Sequence, residues 1–88
     1  MTGISSPVDL AELAEQLTEL RERLEASTQT PESRIALEEV QHAVAAAKSG
    51  NGPAVMSRLK KAGKVAYDVA VAFGSGVLIE VIKKANGM

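Results

Sequence analysis

The sequence predicts an all-α fold, a small antiparallel helical bundle of three to four helices at about residues 7–26, 31–48, 53–73 and 76–85. Three observations lead there. Ala, Leu, Val, Glu and Lys, which favour helix over strand, dominate a chain that is 45% hydrophobic but only 2% aromatic. Apolar residues recur at three- and four-residue spacings. Pro7, Pro31 and Pro53 stand where helices open, and Gly50 and Gly87 stand where they close.

A chain of 88 residues makes one domain, spanning 1–88, with residues 1–5 as an N-terminal tail. A domain of this size buries roughly 60–65% of its unfolded surface, which leaves thin reserves. Without a single Cys, no disulfide or thiolate metal site adds to them, so packing or oligomerisation must. Residues 1–48 carry nine acidic and four basic side chains, whereas 49–88 carry two and six. A loop at 49–52 divides these halves, and opposite patches of this kind steer association.

Helix one opens at Ser6, with Pro7 in the first turn and Asp9 three residues after the cap. Leu10, Leu13, Leu17, Leu20 and Leu24 then form a two-heptad seam opposite Glu12, Glu15, Glu19 and Glu22. This helix must lay its leucines on something. Thr30 caps helix two and Pro31 opens it; Leu37, Val40, Val44 and Ala47 are its core stripe, widened by Ala36 and Ala43. His42 lies about 200° from Val40 on the helical wheel, on the polar side, with no second His or Cys to assist it. The glycines of "SGNGP" match neither phosphate-loop nor dinucleotide spacing, so Ser49–Pro53 is a turn between helices.

The third helix runs from about 53 to 73, with Pro53 in its first turn. Ser57, Arg58, Lys60, Lys61, Lys64 and Asp68 share one side, and Glu80, Lys83 and Lys84 fall on average more than about 100° away from it. The jump places a bend at the Gly74–Ser75–Gly76 stretch, with Ser75 as a cap for the fourth helix. Between Asp68 and Glu80 the uncharged run is eleven residues, against the ~20 needed to span a bilayer.

Ala62, Ala66, Ala70 and Gly74 recur every four residues and mark a face for close helix packing, where the leucines of helix one can nest. Val69, Val71, Phe73, Val77, Leu78, Ile79 and Ile82 exceed what one buried stripe needs. Those seven residues are therefore the candidate interaction surface, and a neighbouring chain is the economical way to cover them.

In outline, "GPAVMSRLKKAGKVAYDVAVAFGSGVLIEVIKKANG" resembles small α-helical modules appended to bacterial conflict-system effectors, including those associated with abortive infection. The resemblance implies a noncatalytic adaptor or oligomerisation unit in anti-phage defence, and it carries over no functional residue.

The expected function is a noncatalytic protein–protein interaction or homo-oligomerisation module, with itself or another protein as partner. The alternative is a membrane-associating or pore-forming helical protein, in which Arg58, Lys60, Lys61 and Lys64 form a basic patch against anionic headgroups. Those four cations, without interleaved aromatics and in a chain of net charge −1, argue against nucleic acid. No catalytic residue, metal site or cofactor is expected, and the volume looks too small for a pocket of about 300 Å³. The N-terminus has no basic stretch followed by an apolar run, so the expected location is the cytoplasm, with peripheral attachment to a membrane as the variant.

Overall fold

The computed structural model describes residues 10–26, 30–73 and 76–87. Among them the chain is all-helical: α1 is Leu10–Ala26, α2 Pro31–Lys48, α3 Gly52–Phe73 and α4 Gly76–Ala85. The proposed Ser6 cap, Pro7, Asp9 and the tail at 1–5 lie outside the described residues, as do Gly74 and Ser75.

α1 buries Leu13, Ala14, Leu17, Leu20 and Leu24, as its seam predicts, and Leu10 is half-buried at the end. α2 begins as its sequence predicts: Thr30 is extended, and its Oγ1 accepts the Ser33 backbone N–H at 3.1 Å. It ends in a Schellman arrangement. The Asn51 N–H donates to the Ala46 carbonyl at 2.9 Å and the Gly50 N–H to Ala47 at 3.1 Å, with Gly50 at φ 77°. Asn51 serves twice, because its Oδ1 also accepts the Ala54 N–H at 3.1 Å and caps α3. The connection is therefore Ser49–Asn51, one residue shorter than the loop the sequence suggests, and so short a link turns α3 back antiparallel along α2.

α2 is the central element, lying against α1 on one side and α3 on the other; α4 rests mainly on α3 and more lightly on α1. Its innermost face differs from expectation. Ala36, Val40 and Ala43 have no exposed surface, while Leu37 is only half-buried. The alanines are the centre of the stripe, because small side chains let the α2 and α3 backbones come close enough to exclude Leu37 from the middle.

The larger correction concerns α3. Read as one uninterrupted helix, it is broken at Gly63, where φ is 72° and ψ −157°. This break is separate from the bend expected at Gly74–Ser75–Gly76, of which Gly74 and Ser75 lie outside the described residues.

Candidate interaction surface

α4 shows how far the chain covers its own apolar C-terminal third. Leu78 and Ile82, four residues apart, have no exposed surface, and Val81 is 6% exposed. These three share the face turned to α3 and α1. Val77, one turn before Val81, lies at the edge of that face and is 37% exposed; Ile79 is half-buried.

In α3 the line of small residues points inward: Ala62, Ala66 and Ala70 are all buried, and Gly74 lies outside the described residues. The helix that carries them lies mainly against α2 and more lightly against α1. Val69 is half-buried, and Val71 is 47% exposed beside the outward Lys64 and Asp68 positions of the wheel. Phe73 is half-buried with the Arg23 guanidinium carbon 4.7 Å from its ring centre, a cation–π contact joining the ends of α1 and α3. Of the seven candidate residues, Leu78 and Ile82 are thus enclosed by the chain's own core, whereas Val71 and Val77 face out on either side of the α3–α4 connection.

Sequence reasoning missed the most exposed large apolar side chain among the described residues, Ile35 at 54%. Its signal was available: five residues before Val40, it falls about 140° from the buried stripe of α2.

The basic patch is divided. Arg58 donates to Glu39 Oε1 at 3.1 Å across the α2–α3 interface, and Lys64 bonds both oxygens of Asp68 at 3.1 and 3.2 Å one turn on. Lys60 and Lys61 extend into solvent. The Arg58–Glu39 pair is the better placed of the two, with Glu39 only 18% exposed, while the Lys64–Asp68 pair is open to water and contributes little.

The expectation of insufficient volume needs correcting. Open grooves do exist, one of about 580 Å³ between α1 and the end of α2 and one of about 360 Å³ bounded by Leu10, Leu13, Val55, Met56, Val81 and Lys84. Among the described residues no group of three His, Asp or Glu side chains converges to hold a metal ion. No described helix is long and apolar enough to cross a membrane. The chain matches no protein-family model, no curated protein and no solved structure.

Proposed function

We propose that this protein is a noncatalytic interaction module that joins to another copy of itself through the outer surface of α3 and α4. The observation that carries the reading is the exposure of Val71 and Val77, two branched apolar side chains facing water on consecutive helices. Val69 and Ile79, each half-buried, offer further apolar surface on the same two helices. A specific contact covers about 800 Å² on each partner, roughly a sixth of the 5106 Å² exposed here, so two valines form its centre and not its whole. The affinity to expect is correspondingly modest. The same noncatalytic role is what the resemblance to conflict-system modules implies, and an adaptor in anti-phage defence is its most specific form.

The test is the molar mass in solution against concentration, by light scattering on a sizing column, for the native chain and for Val77→Asp. The reading requires a mass that rises above 9.2 kDa with concentration and falls back in the variant while helicity persists. A native chain that stays at 9.2 kDa throughout contradicts it. Flotation of the protein with anionic vesicles, without any rise in mass, would favour the membrane-associating alternative, for which the exposed Lys60 and Lys61 are the support.

A further inference from the structure

Gly63 occupies φ 72° and ψ −157°, a region of backbone space that is essentially reserved for glycine. A Cβ built there meets nothing within 4 Å, so the dihedral angles and not crowding demand the glycine. The sequence on both sides favours helix, with Lys60, Lys61 and Ala62 before the break and Lys64, Val65 and Ala66 after it. The buried positions also stay in phase across it. Val55, Leu59, Ala62, Ala66 and Ala70 recur at spacings of four, three, four and four, so an unbroken helix would present the same stripe. This segment suits two backbone states: the bent one, and a straight helix of 22 residues about 33 Å long.

Each side of the break has a tie of its own. Before it, Arg58 is held to α2 through Glu39; after it, Phe73 is held to α1 beneath Arg23, and Leu78, Val81 and Ile82 complete the core. We propose that Gly63 is a hinge at which the arm Lys64–Ala85 leaves its own bundle and docks into a second copy, giving an exchanged dimer. Straightening withdraws the three α4 side chains from their own core. A second copy that has done the same holds the matching vacancy, and the contacts that the arm made with the rest of the bent monomer are re-formed between chains. This inference rests on self-association as the function and supplies a route to it.

The experiment combines Gly63→Ala, which disfavours the bent state and permits the straight one, with cysteines introduced as Arg23→Cys and Phe73→Cys and joined by a short bis-maleimide. The chain has no other Cys, so the link is unambiguous. With Gly63 in place the dilute protein should link within chains; with Gly63→Ala it should link between chains and show a twofold higher mass. A Gly63→Ala protein that is helical, monomeric and linked only within chains overturns the hinge. Should that variant fail to fold, the Gly63 protein carrying the cysteine pair is incubated just below its unfolding temperature at its highest soluble concentration before linking. Links between chains then support the exchange, and links within chains alone refute it. Native assembly that Val77→Asp abolishes, beside purely intrachain links in Gly63→Ala, leaves surface association standing and removes the hinge. A native chain that never assembles, even beside exchange in Gly63→Ala, overturns the proposal together with the self-association on which it rests.

Discussion

Leu17, Leu20, Leu59, Leu78 and Ile82 have no exposed surface, so at these positions a lost methyl group becomes a void rather than a new contact with water. Leu17→Ala should lower the unfolding free energy by about 3 kcal/mol in urea titrations, against a total of about 4–13 kcal/mol for a chain this long. Val71→Ala, at a side chain already 47% exposed, should change it by no more than about 0.5 kcal/mol under conditions where the protein is monomeric. Thr30→Ala removes the acceptor for the Ser33 N–H and should cost about 1 kcal/mol in the same titration. The leucine seam and the Thr30–Pro31 start were legible in the sequence, because heptad spacing and capping chemistry are local. The Arg23–Phe73 contact was not, since it joins residues 50 positions apart, brought together only by how α1 and α3 pack.

The geometry of α2 is set by its alanines. Ala36 and Ala43 are fully enclosed where α2 meets its neighbours, and the face leaves no room for branching. Ala43→Leu should therefore destabilise the fold by about 1–3 kcal/mol despite adding apolar area, and a drop in thermal midpoint with helicity retained at low temperature would show it. A gain in stability would mean that the α2 interface is looser than its burial implies. Boundaries of elements were legible where Pro or Gly marked them, as at Pro31 and Gly50, but Asn51 hides its double role in a loop that reads as mere punctuation. The break at Gly63 was concealed by the pattern itself. A hydrophobic stripe that remains in phase through a glycine gives periodicity nothing to detect, whereas the choice between bent and straight is made by tertiary packing.

For the whole molecule, the excess of apolar residues in the C-terminal third is partly resolved within the chain. By turning back on α3 and α1, α4 encloses Leu78, Val81 and Ile82, which a linear reading could count but not bury. What remains outside is narrower than the sequence suggests: Val71 and Val77, with half-buried Val69 and Ile79 on the same helices. A surface centred on two valines predicts an association that is weak, weakly dependent on salt and strengthened by modest warming, because apolar burial and not charge drives it. Sedimentation at low and high salt checks this, and a steep loss of mass on adding salt would instead assign the contact to the acidic and basic halves of the chain. The most direct measurement is isotope-filtered NMR on a mixture of valine-methyl-labelled and unlabelled protein at high concentration. The account predicts cross-chain signals from the methyls of Val71 and Val77; a spectrum in which those two methyls see only their own chain, with Ile35 or nothing in their place, contradicts it.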